Sequence, residues 1–237
     1  MQDATLLMAL VTGLYLYDSA LLLYRNEGIL RPDSNGNWAV QFGFDDTRIL
    51  GKDIYIPNPF LPHRPLFRLS WAFAGAAGEA GENWAADREA FAALAPMVWG
   101  VAIALFVCLP LGFFTPLADK MLVSGIVLLY LSIFAALLWV WLHRQVLHVS
   151  EKRFAGIAFE CVVCPPFALN LIRGISLKIP VGEDLVHASR RLQNPGEWRA
   201  TCDRFLKRLD EEMEGEELDS DRMKAMQAHR RTLIERM

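Results

Sequence analysis

The sequence lacks the features of several large protein classes. Its 237 residues carry 24 Lys and Arg against 27 Asp and Glu, so no basic excess points to a nucleic-acid partner. Four cysteines are too few for a disulfide-stapled fold. The chain also has no phosphate-binding glycine loop, no nucleophile elbow and no H-E-x-x-H zinc motif. We therefore predict no metal and no cofactor, and an enzyme is the less favoured class.

Charge is missing altogether from two long runs. Residues 90–118 contain no Asp, Glu, Lys or Arg, and neither do residues 121–142. About 20 apolar residues are enough to cross the hydrocarbon core of a bilayer. Residues 4–24 form a third run, which is apolar except for Asp18 and lacks the basic start of a cleavable signal peptide. The sequence thus predicts three transmembrane helices, the last two joined as a hairpin.

The basic residues predict how these helices are oriented. Arg25 and Arg31 follow the first run, and Arg144, Lys152 and Arg153 follow the third, whereas the N-terminus has no basic side chain. Lys and Arg are enriched in loops on the cytoplasmic side. We expect a bacterial inner-membrane protein with its N-terminus outside and its C-terminus in the cytoplasm, the bacterial assignment resting only on the compact layout of the chain.

The stretch between the first two runs predicts a small β-hairpin. Residues 37–44 alternate between polar and apolar after an Asn35-Gly36 turn signal, residues 45–47 suit a turn, and residues 48–56 read as a second strand. A proline-rich segment follows, in which Phe60, Phe67 and Trp71 with Arg64 and Arg68 suit the lipid headgroup layer. Residues 72–83 are typical of a linker.

The remainder of the chain is predicted to be helical. Residues 154–177 are apolar but broken by Pro165-Pro166, which favours a re-entrant or interfacial helix–break–helix; a fourth span is the alternative. Asn194-Pro195-Gly196-Glu197 is typical of a helix start, and two amphipathic helices follow. Because a hairpin cannot bury both apolar faces alone, residues 180–193, the membrane-proximal element or another protein must cover it, and we expect a protein partner to bind at residues 195–237.

The predicted fold class is therefore mainly α. It is a polytopic membrane protein with three transmembrane helices, a small cytoplasmic β-hairpin insertion and a C-terminal cytoplasmic helical region. Its five predicted segments are a first transmembrane helix (1–25), a cytoplasmic β-hairpin with interfacial stretch and linker (26–93), a transmembrane hairpin (94–143), a membrane-proximal helix–break–helix (144–180) and a cytoplasmic helical hairpin (181–237).

One acidic residue stands out within the first apolar run. A carboxylate at bilayer depth costs roughly 2.5–3.5 kcal/mol on insertion scales, so Asp18 must have a partner or a function. The indole N–H groups of Trp99 and Trp139 are candidate donors. Asp18 is then either a polar lock between helices or part of an ion or proton path.

Other candidate residues lie near the predicted cytoplasmic rim. Cys161 and Cys164 form a C-x-x-C pair, but no βαβ pattern surrounds it and no second ligand pair completes a zinc site, so two free thiols are expected. His63, Arg64, Glu160 and Arg173 are weak catalytic candidates, because an acid, an imidazole and two anion clamps would suit a lipid phosphate.

These observations leave three functions open. The favoured one is a non-catalytic accessory, scaffold or assembly subunit of a membrane complex, with membrane lipids and a protein as partners. The alternative is a membrane-interface enzyme acting on a lipid or isoprenoid-linked substrate. The second alternative is an oligomeric channel or transporter subunit with Asp18 on its path.

Overall fold

A computed structural model describes residues 2–33, 36–73, 88–115, 118–217, 220–235 and 237. The chain is mainly helical, with 63% of its residues in helices, and carries a small antiparallel β-structure, so the coarse fold class is confirmed. It divides into two compact units. The helical unit comprises Met1–Leu21, Ile56–Pro65 and Trp84–Ile179, and the mixed unit comprises Leu22–Tyr55, Leu66–Asn83 and Pro180–Met237.

The helical unit contains seven α-helices among its described residues. They are α1 (Gln2–Ser19), α2 (Arg88–Ala92), α3 (Ala95–Ile103), α4 (Leu109–Phe114), α5 (Ala118–Leu142), α6 (Glu151–Val163) and α7 (Leu171–Ser176). A π-helical turn (Ala104–Cys108) joins α3 to α4, directly before Pro110, which has no N–H to continue the regular ladder. A 3-10 segment (Pro165–Asn170) joins α6 to α7 and produces the expected helix–break–helix.

Two stretches of this unit are long and apolar enough to cross a membrane, by length and composition. They are Ala90–Phe114 and Asp119–Leu142, and only 28% and 33% of their most apolar windows is buried. They pack closely through small residues: a Cβ on Gly112 would lie 2.7 Å from Leu122, and one on Gly125 would lie 2.8 Å from Cys108. The predicted hairpin of apolar helices is therefore present.

The predicted first span is wrong at its C-terminal end. Helix α1 stops at Ser19, whose Oγ donates back to the carbonyl of Tyr15, and Leu21–Leu23 then form strand β1. At about 1.5 Å per residue, the 18 residues of α1 are roughly 27 Å long. The described residues contain two stretches of membrane-spanning length and composition, and α1 is not one of them. The predicted third span is therefore not shown.

The mixed unit contains two three-stranded sheets in place of the single predicted hairpin. The strands after β1 are β2 (Glu27–Pro32), β3 (Trp38–Gln41), β4 (Phe44–Ile49), β5 (Lys52–Tyr55) and β6 (Phe67–Ser70). Their orders in the two sheets are β1-β5-β4 and β3-β2-β6. Residues 45–47, predicted as a turn, lie within β4, and the turn falls at Leu50-Gly51, where both residues have positive φ. Gly36 also has a positive φ as the expected turn requires, while Asn35 lies outside the described residues.

The predicted alternation in residues 37–44 is interrupted because β3 ends before Gly43. A Cβ at Gly43 would lie only 2.5 Å from the Cβ of Asp53, so glycine permits a close crossing there. Strand β3 consequently pairs with β2 rather than with the segment after it. Most of the predicted linker, residues 74–83, lies outside the described residues.

Three helices complete the mixed unit, namely α8 (Leu185–Leu192), α9 (Pro195–Met213) and α10 (Asp221–Glu235). The predicted start of α9 is confirmed, because the Asn194 side chain accepts from the Glu197 N–H at 2.9 Å and Pro195 occupies the first turn. The apolar face of α9 packs within the unit: Phe205 contacts Trp71 and Phe42 with ring centroids 4.9 and 5.3 Å apart. The apolar face of α9 is therefore covered within the mixed unit, and a protein partner at residues 195–237 stays a prediction.

The same packing corrects the predicted headgroup layer. Phe67 lies in strand β6 and is fully buried, and Trp71 is 2% exposed in the core of the mixed unit. Of the three aromatic residues assigned to the lipid interface, Phe60 alone is exposed. The reason is that β6 pairs with β2, which draws Phe67 and Trp71 into a protein core rather than toward lipid.

Candidate functional site

A polar cluster, buried except for the exposed residue Asp18, forms where α1, the 3-10 segment and α7 meet in the helical unit. Tyr15, Asp18 and Ser19 lie on one face of α1 at the i, i+3, i+4 spacing. Asn170 closes the 3-10 segment, and Arg173 follows it by one turn in α7. Asn170 and Arg173 are 5% and 3% exposed, so both polar groups must be satisfied by protein atoms.

Asn170 links the cluster to helix α1. Its Nδ2 donates to Asp18 Oδ2 at 2.9 Å and lies 3.3 Å from the carbonyl of Tyr15. Its Oδ1 lies 3.1 Å from Ser19 Oγ. The partner of Asp18 is thus an amide rather than one of the two predicted tryptophans. The Trp99 ring instead lies 5.5 Å from the His63 ring at a tilt of 36°, and Trp139 stacks on His143.

Arg173 holds the proline-rich segment in place. Its Nη2 donates to the carbonyls of Asn58 at 2.7 Å and Leu61 at 2.9 Å, and its Nη1 donates to Asn170 Oδ1 at 3.1 Å. The same two carbonyls accept turn hydrogen bonds from the N–H groups of Leu61 at 3.2 Å and Arg64 at 3.3 Å, so Arg173 adds a second donor to each of them. The planar guanidinium with its five donors suits this task. Arg173 therefore has a visible structural use.

The other three weak catalytic candidates do not join this arrangement as a set. The His63 ring lies 5.5 Å from the Trp99 ring, and its Nδ1 is buried without a hydrogen-bond partner among the described residues. The pKa of His63 is lowered, first by burial and then by the positive charges of Arg64 and Arg173. Glu160 is exposed on α6. An acid, a base and a free anion clamp are thus not gathered around one described cavity.

The two cysteines of the C-x-x-C pair are free thiols. Burial raises the pKa of Cys161 to about 12, with the nearby acidic groups of Glu160 and Asp18 adding to it. Burial also raises the pKa of Cys164. A thiol with a raised pKa stays protonated at neutral pH and is a weak nucleophile. Within the described residues, no group of three or more His, Cys, Asp or Glu is placed to hold a metal ion.

The largest described cavity is apolar and lies beside the polar cluster. It measures about 540 Å³ and is bounded by α1, the proline-rich segment and the first candidate span. Tyr15 contributes to its wall, and the Tyr15 hydroxyl donates to the carbonyl of Pro59 at 2.5 Å. None of His63, Arg64, Glu160 and Arg173 lines it.

Sequence reasoning found part of this site. Asp18 and Arg173 were both singled out in the sequence, the first as an isolated carboxylate and the second as a candidate anion clamp. The roles of Tyr15 and Ser19 were missed, since Asn170 and Arg173 lie more than 150 residues away from them and the Pro59 partner of Tyr15 lies 44 residues away. The cavity was missed too, because its walls come from four separate segments, including Leu169 of the 3-10 segment.

Comparison with known proteins adds no relationship. No protein-family model, no curated protein and no solved structure matches this chain. Its function must therefore be argued from its own geometry.

Proposed function

We propose that this protein is a non-catalytic accessory or scaffold subunit of a membrane complex. Its helical unit would anchor it in the bacterial inner membrane, with α1 as a third, short span and the N-terminus outside. The mixed unit, carrying the C-terminus, would then lie on the cytoplasmic side. The positions of Lys and Arg support this orientation.

The two candidate spans support the membrane location through what they leave uncovered. On α5, Leu131, Phe134 and Leu138 are 64%, 55% and 59% exposed. Soluble monomers rarely expose contiguous apolar patches above a few hundred Å². In lipid, such an apolar helix surface avoids the free-energy cost of contact with water.

The observation that carries the non-catalytic assignment is the state of Arg173. Its guanidinium is bound to two backbone carbonyls and one amide, inside a cluster that also engages Asp18. A catalytic anion clamp must be able to reach its substrate. The cluster is better explained as a polar lock that joins α1 to α7, which gives both the lipid enzyme and the channel hypothesis less support.

The mixed unit is the part that we expect to meet a protein partner. Its helices α9 and α10 bury their apolar faces and present charged outer faces, including Lys224 and Arg231. A polar, reversible contact suits such a surface. Deleting residues 195–237 would remove Phe205 and Arg208 from the core, so charge reversal is a cleaner probe than truncation.

The first experiment is purification of the N-terminally tagged protein from native membranes in a mild detergent. Mass spectrometry should find one other protein at a stoichiometric level, which Lys224→Glu combined with Arg231→Glu should reduce several-fold. Leu50→Ser, at an exposed hairpin tip of the same unit, is the matched control and should leave recovery unchanged. A protein that is purified alone or only with copies of itself would contradict the proposal.

A further inference from the structure

The apolar cavity of the helical unit has the character of a binding site for a hydrocarbon chain. Its walls include Phe60, Trp99, Phe106 and Val107. Pockets for small molecules measure about 300–1,000 Å³, and this one falls in that range at about 540 Å³. If each chain carbon needs about the 30 Å³ that a water molecule occupies in the liquid, a chain of about sixteen carbons fills roughly 480 Å³.

The two hydroxyl groups of the wall are already used. The Tyr15 hydroxyl donates to the Pro59 carbonyl at 2.5 Å, and the Thr12 hydroxyl donates to the Met8 carbonyl at 2.9 Å. A buried water molecule needs two to four polar partners, and a polar ligand needs at least a few. The cavity therefore suits an occupant without polar groups along its length.

The wall formed by the proline-rich segment is held firmly. Arg173 ties the carbonyls of Asn58 and Leu61, and Tyr15 ties that of Pro59 between them. Ligand sites of this kind are largely formed before the ligand arrives, which lowers the ordering cost of binding. This gives the polar cluster a second consequence, since it fixes one side of the cavity.

An arginine follows one wall of the cavity along the chain. Pro62 lines the cavity, and the next two residues are His63 and Arg64. The His63 ring lies 5.5 Å from the ring of Trp99, which is itself part of the wall, and the two rings are tilted by 36°. The guanidinium of Arg64 is a charge complement for a chain with an anionic head.

We infer that the cavity binds one acyl chain of an anionic membrane phospholipid, with the phosphate beside His63 and Arg64. The inference uses the proposed membrane location for the source of the ligand, because lipid would lie along the first candidate span. It does not require a partner protein. Bound lipid would fill the space between α1 and α3 and stiffen their contact.

The test uses the full-length protein in detergent and a phosphatidylglycerol that carries a photoreactive diazirine near the end of one chain. Labelling should saturate, should map to peptides of the π-helical turn that contain Phe106 and Val107, and should be competed by unlabelled phosphatidylglycerol. Ala102→Phe, which fills the cavity, should lower labelling at least five-fold. Ala135→Phe, the same change on the exposed face of α5, should not.

A second variant and a second lipid separate the possible outcomes. Val107→Trp narrows the cavity from its exposed side and should also reduce labelling, provided that size-exclusion and melting profiles match those of the unchanged protein. Phosphatidylcholine with the same reactive chain should label several-fold less, and Arg64→Gln should remove that preference. Arg190→Gln, in the mixed unit, should keep it.

Three results would overturn the inference. Labelling that does not saturate and spreads over the outer face of α5 would show ordinary contact with bulk lipid. Labelling unaffected by both filling variants would show that the lipid binds elsewhere. Equal labelling by phosphatidylglycerol and phosphatidylcholine would show that the anionic head group is not recognised. Extraction of the protein from membranes by alkaline carbonate would instead contradict the proposed location, while the detergent experiment would still test the cavity.

Discussion

Each of the two units buries an arginine, but they satisfy its charge in different ways. In the helical unit, Arg173 is 3% exposed, and the acceptors described for it above are neutral carbonyl and amide oxygens. In the mixed unit, Arg208 is 4% exposed, and its Nη2 lies 2.9 Å from Oδ2 of Asp53, itself 2% exposed. One unit spreads the charge over dipoles, and the other pairs it with a buried carboxylate.

The difference follows from what each segment offers. In the proline-rich segment the carbonyls of Asn58 and Leu61 accept turn hydrogen bonds from the N–H groups of Leu61 at 3.2 Å and Arg64 at 3.3 Å, and the guanidinium of Arg173 adds a second, shorter donor to each carbonyl. Arg208 lies where strand and loop segments approach α9, and it also donates to the carbonyls of Arg25 at 3.0 Å and Gly43 at 3.3 Å. Removing one partner of a buried ion pair leaves the charge of the other partner in the core. Removing Arg173 instead leaves uncharged carbonyl and amide oxygens.

The largest expected effect is therefore in the mixed unit. Arg208→Met should lower the free energy of unfolding of that unit by about 3–5 kcal/mol, because it removes one member of the buried ion pair with Asp53. Hydrogen–deuterium exchange of peptides from α9 and β5, followed across a denaturant series, measures this. Adding Asp53→Asn should recover part of the loss. Arg204→Met, an exposed arginine one turn earlier on α9, serves as the control, and a loss for Arg208→Met no larger than the control's would contradict the ion-pair argument.

A smaller effect is expected in the helical unit. Arg173→Met removes the guanidinium donors from the carbonyls of Asn58 and Leu61, which keep their backbone N–H partners, so the loss should be about 1 kcal/mol for each hydrogen bond. The proline-rich segment should exchange and be cleaved by protease faster, while peptides of the mixed unit stay unchanged.

The stability of Arg173→Lys should lie between that of the unchanged protein and that of Arg173→Met, since an ammonium group cannot reproduce the planar guanidinium. Lys178→Met, which removes an exposed charge of the same unit, should change little. If Arg173→Met costs as much as Arg208→Met, then Arg173 also balances a buried charge and the contrast between the units is wrong.

The same contrast explains how far the sequence predicts this molecule. Local signals were sufficient where one segment determines its own structure: the Asn194 cap of α9, the two uncharged runs and the break at Pro165-Pro166 are all present. Pairing between distant segments was not predictable. Phe67 and Trp71 have the composition of a lipid interface, and only the pairing of β6 with β2 shows that they belong to a core.

Prediction of the candidate site was limited for the same reason. Asp18 was recognisable because a carboxylate in an apolar run is costly, and this follows from its own segment. Its partner Asn170 lies 152 positions away. Burial of Arg173 likewise depends on carbonyls more than 110 positions earlier in the chain. Residue type and spacing indicated which side chains needed partners but not which partners they have.

The smallest expected effect concerns pH and again separates the units. The pKa of His63 in the folded helical unit lies below its ordinary value, through burial first and then through Arg64 and Arg173. The unfolded chain therefore takes up a proton at His63 at a higher pH than the folded protein does. Stability should be unaffected above the unfolded pKa of about 6.5 and should decrease as the pH falls below it, until the folded-state pKa is reached.

His63→Gln should remove this part of the acid sensitivity, measured as the difference in melting temperature between pH 7.5 and pH 5. The matched control is His187→Gln in the mixed unit, since His187 is 44% exposed and lies 3.8 Å from Asp184. The effect is small because His63 is only partly buried and water screens its charge. If His187→Gln changed the acid sensitivity and His63→Gln did not, the titrating group would belong to the mixed unit. Burial of His63 beside Trp99 would then make no contribution to the pH dependence of stability.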